Sequence, residues 1–320
     1  MANRAEFAKG MQKDLYMYMI EAEQYQQLNP VYSQLFEVKQ LEGAYDSQTS
    51  AIGMGQLSER KERDNIKRSN PLEGFTVPIK ARTFSDSFEL SMETVEDFTP
   101  SKLGNVLMDI AKGWNQGLVN TKEVFAAKFF NYGGFTAGHD VFNNTITGVV
   151  DDPTGDLGYD GKPFFALSGN NHPAKNGSTY YNSLANAFSS ANLQTAYNLM
   201  ADTNAYDEKG EKINLVPQII LYPAALKFTV EQVLNNTDTA NLRGTVQNLV
   251  QPVQWNYLTD TDGWFLGVPK KGLVWYERKA PQISVYQDEK NKSYIIDIDT
   301  RFGAGMNNWR FWQANNISTS

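Results

Sequence analysis

Residues 99–134, TPSKLGNVLMDIAKGWNQGLVNTKEVFAAKFFNYGG, carry the strongest helix signal in this chain of 320 residues. Thr99 suits the N-cap position, where its hydroxyl accepts a backbone N–H, and Pro100 suits the first helical position. Seven apolar residues fall along one side of this helix: Leu103, Leu107, Ile110, Trp114, Leu118, Phe125 and Phe129. Gly133 and Gly134 favour its termination. Such a helix spans about 48 Å, which predicts a long spine within the fold.

A second amphipathic helix is predicted near the N-terminus, over residues 4–28. Its apolar residues recur at three- and four-residue steps: Phe7, Met11, Leu15, Met19 and Ile20. Asn29 and Pro30 end it, because the residue before a proline avoids the helical conformation. A helix at a chain end must bury such a stripe against its own body or against a neighbouring molecule.

Residues 47–93, between these two helices, change character along their length. The first part is small and polar, and from Glu59 to Arg68 there are five basic and three acidic side chains. Apolar and polar residues then alternate from Phe75 to Met92, which is the periodicity of β-strands. The pattern predicts a long two-stranded excursion around a charged tip. Because an isolated two-stranded ribbon is marginal in water, a projecting one is expected to lie on another subunit.

The second half of the chain mixes loops, short helices and short strands. Residues 151–183 are rich in turn-forming residues, and helices are predicted at 188–201 and 224–234. A buried strand is predicted between these helices, and several more strands follow between residues 245 and 312. Two of these are GLVWYERK at 272–279 and PQISVYQD at 281–288, on either side of Ala280. The order of the elements is irregular, which predicts the α+β class.

The composition limits the functions open to this chain. Its net charge of −7 differs from the basic balance of most DNA-binding proteins. The absence of cysteine excludes disulfides, thiolate catalysis and cysteine-ligated metal sites. No signal peptide and no apolar run of about 18 residues is present, so no membrane association is predicted. The 18 Phe, 16 Tyr and 6 Trp residues suit both a core and a protein–protein interface.

His172 is the main candidate for catalysis, because Ser168 and Asp160 lie in the same loop and supply a nucleophile and an acid. No Gly-x-Ser-x-Gly elbow surrounds Ser168, and a catalytic triad is defined by its geometry. The segment Asp260-Thr261-Asp262-Gly263 resembles a fragment of a calcium loop but lacks the remaining ligands. Turn chemistry is favoured at both places. No catalytic residue, cofactor or metal site is predicted.

Three interpretations fit the charged run at 59–68: nucleic-acid binding, a solvated surface, or a contact between subunits. The interleaved Glu59, Glu62 and Asp64 argue against nucleic acid, because each repels phosphate. A solvated face is the simplest interpretation. Mixed charges also set register between subunits and exclude wrong partners.

Several motifs in the second half occur in a recognisable order. Tyr159-Asp160-Gly161-Lys162-Pro163-Phe164-Phe165 is followed by Asn171-His172-Pro173, Asn176-Gly177 and Asn182-Ser183-Leu184, then by PQIILYPAAL at 217–226, LTDTDGWFL at 258–266, Arg278-Lys279-Ala280-Pro281 and Arg301-Phe302-Gly303. Over residues 155–305 this order resembles the Mu-like family of tailed-phage major head proteins. An arm, an excursion and a spine helix in sequence likewise resemble the Hong Kong 97-type capsid fold.

The resemblance implies a division of the chain into named regions. These are an N-terminal arm at 1–46, an E-loop at 47–93, the P-domain spine helix and its flanks at 94–150, an A-domain at 151–275, and return strands of the P-domain at 276–320.

The resemblance also implies a function, which is assembly rather than catalysis. A major capsid protein of this kind forms pentamers and hexamers of itself and builds an icosahedral shell around the double-stranded DNA of a tailed bacteriophage. It binds the packaged DNA without sequence specificity and meets scaffold, portal and decoration proteins. Its location is the virion capsid, after assembly in the host cytoplasm. The expected inter-subunit contact residues are Arg60, Lys61, Arg63, Lys67 and Arg68 on the excursion and Phe7, Met11 and Leu15 on the arm.

Two alternatives remain open at this point. Another phage structural protein, such as a tail-tube or decoration protein, is disfavoured by the long spine helix, because those proteins are mostly β. A hydrolase using His172 belongs to a different class and requires an accessible histidine with an aligned nucleophile.

Overall fold

The computed structural model describes residues 4–26, 29–43, 45–51, 59, 62, 73–139, 141, 157–158, 160–235 and 249–318. The helices in this part of the chain are α1 (Arg4–Gln26), α2 (Tyr32–Leu35), α3 (Met92–Asp97), α4 (Pro100–Asn131), α5 (Ser190–Asn198) and α6 (Lys227–Leu234). The strands are β1 (Glu37–Gln40), β2 (Tyr45–Ala51), β3 (Glu73–Lys80), β4 (Arg82–Leu90), β5 (His172–Pro173), β6 (Thr179–Tyr180), β7 (Ser183–Leu184), β8 (Ile219–Tyr222), β9 (Gln251–Gln254), β10 (Trp264–Gly267), β11 (Leu273–Gln287), β12 (Tyr294–Met306) and β13 (Trp312–Asn315).

The spine helix is α4, and it begins and ends where its local chemistry predicts. The Thr99 hydroxyl accepts a hydrogen bond from the backbone N–H of Lys102 at 3.4 Å, and Pro100 opens the helix. The helix runs for 32 residues and closes at Tyr132, whose N–H donates to the Lys128 carbonyl. The cap and the proline therefore act as predicted from the sequence.

A four-stranded sheet, here called the body sheet, has the order β1-β11-β12-β4. Helices α1 and α4 cover one face of it, and the core between them includes Leu15, Leu107, Trp114, Ile283 and Ile296. Polar contacts fix both helices to the sheet: the Trp114 indole donates to Asp86 at 2.9 Å, and the Tyr16 hydroxyl accepts from the Ile283 N–H at 2.8 Å.

Strands β2 and β3 form a separate two-stranded antiparallel ribbon, with Tyr45 opposite Lys80 at its base. Within the described residues neither strand pairs with any other strand. The excursion predicted at 47–93 is thus shorter, because β4 pairs along its whole length with β12 in the body sheet. The ribbon ends near residue 80, and the charged tip at 60, 61 and 63–68 lies outside the described residues.

A five-stranded sheet, here called the second sheet, has the order β7-β13-β10-β8-β9. One of its cores, formed with α5 and α6, includes Leu193, Ile220, Val230 and Leu266. An aromatic core joins the second sheet to the end of α4 and to the body sheet, and its members include Phe129, Phe130, Phe165, Phe265, Trp275 and Trp312. The high aromatic content of the sequence therefore serves this interior, where rings pack edge to face.

One strand prediction from the sequence needs correction. The pattern around Pro281 indicated two strands, yet β11 continues through it with register shifts between Glu277 and Gln282. Pro281 is tolerated because β1 pairs only with residues 274–277, so β11 has a free edge at the proline. The last strand, β13, falls in the predicted return-strand region at 276–320 and pairs with β10 and β7 in the second sheet.

Candidate functional site

His172 lies in a closed polar cluster and not at a surface. Its side chain is 0% exposed, and its ring stacks on Trp309 with centroids 4.2 Å apart. Nδ1 contacts Asp160 Oδ2 at 2.5 Å, and Nε2 faces Asn182 Oδ1 at 3.2 Å. Both ring nitrogens are therefore engaged, and the imidazole has no free edge for a substrate.

Asn182 fixes this cluster to the backbone. Its side-chain amide donates to the carbonyls of Phe164 and Trp312, at 2.9 and 3.0 Å, and its oxygen accepts the N–H of Ala166 at 2.8 Å. Since these contacts set the amide orientation, Nε2 of His172 faces an acceptor and must carry its proton to bond there. The cluster ties the 160–182 loop to β13 at the far end of the sequence.

The alignment needed for a hydrolytic triad is not formed. Ser168 is exposed on the loop surface, while His172 bonds to Asp160 and Asn182 in the interior. The acid and the histidine are brought together as the sequence suggested, but the nucleophile is not. The hydrolase interpretation lacks its geometric basis.

Asp260 forms a turn, as its sequence context favoured. Its Oδ1 accepts the backbone N–H groups of Asp262 and Gly263, both at 3.3 Å, and its Oδ2 accepts the N–H of Ser318 at 3.0 Å. Across the described ranges, no group of three or more His, Asp or Glu side chains is placed to hold a metal ion. No helix in those ranges is long and apolar enough to cross a membrane.

The expected contact residues fall into two groups. Arg60, Lys61, Arg63, Lys67 and Arg68 lie outside the described residues, and Phe7 belongs to α1 but its side chain is not described. Met11 and Leu15 are 3% and 0% exposed within their own subunit, packed against α4 and the body sheet. These two side chains are covered by the protein's own body and have no surface left to offer a neighbour, whereas Ile20 of the same stripe remains 58% exposed.

Sequence reasoning missed a buried carboxylate at the junction of three elements. Glu123 of α4 is 3% exposed; its Oε1 accepts the N–H of Tyr32 at 3.2 Å, and its Oε2 accepts the indole N–H of Trp255 at 2.5 Å. Burial raises the pKa of Glu123, while hydrogen bonds from Trp255, Tyr32 and Val31 oppose that rise. The available signal was an acid placed beside the apolar stripe of the spine helix.

Some large apolar side chains remain on the surface of the subunit. Phe228 on α6 is 79% exposed, Val124 on the spine helix 55%, and Met17 and Ile20 on α1 48% and 58%. The described residues thus combine an enclosed polar cluster, a projecting ribbon and separate apolar contact points.

The family model described as phage capsid protein matches residues 74–315 of this sequence. The chain belongs to the phage capsid protein family. The match covers the whole spine helix, the second sheet, the closed polar cluster and every strand of the body sheet except β1. The capsid protein therefore has a structural role, and the buried state of His172 agrees with that role. No curated protein sequence is significantly similar to it.

Solved capsid structures share the fold of the capsid protein at low sequence identity. The capsid of the cyanophage P-SCSP1u is 9% identical, with a TM-score of 0.54 over 91% of this chain and 89% of that one. The capsid of a native GTA particle, computed with C5 symmetry, is 13% identical, with a TM-score of 0.53 over 91% of each chain. The mature capsid of bacteriophage PhiM1 is 13% identical, with a TM-score of 0.50 over 91% and 88%.

These likenesses confirm the α+β class and the Hong Kong 97-type capsid fold expected from the sequence. The finer assignment to the Mu-like branch stays a prediction, as does the naming of the individual regions. The tail-tube and decoration alternatives lose their support, because the capsid family and fold account for the spine helix and both sheets.

Proposed function

We propose that the chain is the major capsid protein of a tailed bacteriophage, which assembles into pentamers and hexamers and closes an icosahedral shell around double-stranded DNA. The family match and the capsid fold support the shell role. The net charge of −7 suits a container that holds DNA without binding its sequence. Scaffold, portal and decoration proteins complete the set of partners, and assembly takes place in the host cytoplasm.

The observation that carries this proposal is the β2–β3 ribbon. It leaves the body beside Lys80 and joins neither sheet. Two strands alone bury too little surface to be stable in water, and both outer edges of this ribbon have unpaired backbone groups. A neighbouring subunit that covers the ribbon satisfies both requirements, and symmetry repeats that contact around the shell.

The charged tip of the excursion belongs to the same proposal. Arg60, Lys61, Arg63, Lys67 and Arg68 alternate with three acidic residues, a pattern that suits ion pairs with a neighbouring subunit. Individual exposed ion pairs contribute only about 0.2–1 kcal/mol each, so their role is to select register and partner.

Removing the ribbon tests the proposal. Gln48 and Val77 are paired further out along the ribbon, so a short Gly-Ser linker can replace residues 49–76. Asp46, which accepts a hydrogen bond from Tyr276, and Ile79, which is buried in the core beside Val274, stay in place. We expect the unmodified protein to form closed particles in electron micrographs. The linker variant is expected to unfold cooperatively, as a folded body does, but to form none. Normal particles from the linker variant would overturn the role of the ribbon.

A control with the same loop length separates assembly from folding. Replacing the five basic residues of the tip by glutamine keeps the ribbon and removes only its positive charge. We expect this variant to form particles, but more slowly than the unmodified protein and with a weaker dependence on salt, because the ion pairs that salt screens are gone. Failure of the unmodified protein to form particles under any condition would overturn the shell function itself.

A further inference from the structure

Helix α1 carries apolar residues on every side over one stretch. Residues 15–20 read Leu-Tyr-Met-Tyr-Met-Ile. The body buries Leu15 completely and covers Tyr16, Tyr18 and Met19 in part, yet Met17 and Ile20 remain 48% and 58% exposed. A helix that is apolar all round is usually buried all round. The outward face of α1 is therefore incompletely covered in the single subunit.

Charges of opposite sign lie at equal distances before and after Met17 on α1. Lys13 precedes Met17 by four residues and Glu21 follows it by four, and both are exposed on the outward face. Lys9 extends the basic half and Glu23 extends the acidic half, and these two are exposed as well. A second copy lying antiparallel over Met17 brings each basic half against the acidic half of its partner.

The last turn of α1 is unfavourable for the helix alone, because Glu23 places negative charge near the C-terminal end, where basic residues stabilise a helix. Two acidic residues in the first half depart from the charge pattern: Glu6, and Asp14, which is exposed. The complementary pair that an antiparallel partner brings together is therefore Lys13 with Glu21.

We propose that the outward face of α1 binds the same face of a second subunit, antiparallel and centred on Met17. The contact is isologous, which means that both subunits use the same surface. Met17 of one subunit meets Met17 of the other, and Lys13 of each meets Glu21 of the other. Apolar burial of Met17 against Met17 provides the attraction, and the two Lys13–Glu21 pairs fix orientation. The inference rests on the proposed shell function, because it describes one contact between its subunits.

Site-directed cross-linking tests this geometry, since the chain contains no cysteine. In the antiparallel arrangement, Met17→Cys places two thiols next to each other. Lys9→Cys is the matched control on the same exposed helix, because its two thiols lie about 24 Å apart along the helix axis. We expect assembled particles of Met17→Cys to give disulfide-linked dimers on oxidation, at least tenfold more than Lys9→Cys.

Charge exchange provides the second arm. Lys13→Glu and Glu21→Lys each place like charges together, and each is expected to lower the Met17→Cys dimer yield several-fold. The double exchange restores opposite charges and is expected to recover the yield. Equal cross-linking of Met17→Cys and Lys9→Cys, or a double variant worse than both singles, would overturn the pairing. Particles that form normally without the dimers refute only this contact, whereas no particles at all refute the shell function.

Discussion

Glu123 is the residue at which three distant parts of the subunit meet. Its carboxylate lies on the spine helix and accepts hydrogen bonds from the chain that follows α1 and from Trp255 beside β9. A buried carboxylate is costly unless donors surround it, and here backbone and indole donors do so. A buried residue that bonds to several elements at once fixes the position of those elements relative to one another.

Replacing Glu123 with glutamine is expected to destabilise the subunit by about 1–3 kcal/mol. The amide keeps one acceptor for Tyr32 but can turn an NH₂ group toward the Trp255 N–H, which is also a donor. Denaturant unfolding measures the loss. Gln194→Glu on α5 is the control, because it exchanges the same two side-chain types away from the junction. Asn120→Asp would not serve, because Asn120 accepts hydrogen bonds from Tyr257 and Gln116.

The pH dependence of stability distinguishes the charge of Glu123 from its packing. Burial raises its pKa above the ordinary 4.5, so the native state binds the proton more tightly than the unfolded state. The stabilisation is full below about pH 4.5 and is lost as the pH rises through the raised pKa. Unfolding free energies should therefore fall over that window in the unmodified protein, and less in Glu123→Gln. Parallel curves for the two proteins would contradict this.

His172 gives a second prediction at the residue scale. His172→Ala leaves Asp160 buried without its partner, which is expected to cost about 3–5 kcal/mol of stability. Ser168→Ala is the matched control in the same loop and should change stability by less than about 0.5 kcal/mol, since Ser168 is exposed. Thermal unfolding of both variants decides the matter. A large effect of Ser168→Ala would mean that the loop has a role not visible in its contacts.

At the scale of elements, α1 has two faces with different roles. Leu15 is buried against the spine helix and the body sheet, whereas Met17 faces outward. The same helix thus stabilises the subunit with one face and presents the other. Helix periodicity separates these roles by only two residues in sequence.

Leu15→Ala should therefore lower the stability of the subunit, whereas Met17→Ala should lower the efficiency of assembly. Leu15→Ala creates a cavity under α1 and is expected to cost about 2–5 kcal/mol in the unfolding of the unassembled subunit. Met17→Ala should leave that unfolding nearly unchanged and should weaken particle assembly instead. Denaturation of subunits and light scattering during assembly measure the two effects. Equal losses of subunit stability would show that Met17 is part of the core.

At the scale of the whole molecule, the two sheets and the spine helix pack together, and the ribbon departs from them. The aromatic core links β10, α4 and β11, so the second sheet and the body sheet share an interior. Only the base of the ribbon contacts the body, through Ile79 and Asp46, and we expect the remainder to depend on neighbours. Assembly should therefore change the dynamics of the ribbon far more than those of the sheets.

Hydrogen exchange tests this difference between the parts of the molecule. Amides of β2 and β3 are expected to gain protection of at least about tenfold when subunits enter particles. Amides of β10, which is paired on both sides, should be protected in subunits and particles alike. Full protection of the ribbon before assembly would show that it does not need a neighbour.

The sequence by itself determined the elements whose signals are local. Thr99 and Pro100 place the start of α4, and the apolar spacing of α1 gives its buried side, because caps and helical periodicity act within one or two turns. The order of motifs in the second half indicated a tailed-phage capsid protein, and the family match and the solved capsid structures confirm the capsid family and fold. The Mu-like branch stays a prediction.

Only the tertiary structure decided which partner each element meets. Met11 and Leu15 are buried within their own subunit. Strands β4 and β13 pair with strands that are distant in sequence. Glu123 accepts its hydrogen bonds from Tyr32 and Trp255, which are also distant in sequence. A periodic pattern predicts that one face of a helix or strand is buried, but it does not identify the surface that covers that face. That choice depends on long-range packing, whose free energy is distributed over many residues and is fixed only when the whole chain has folded.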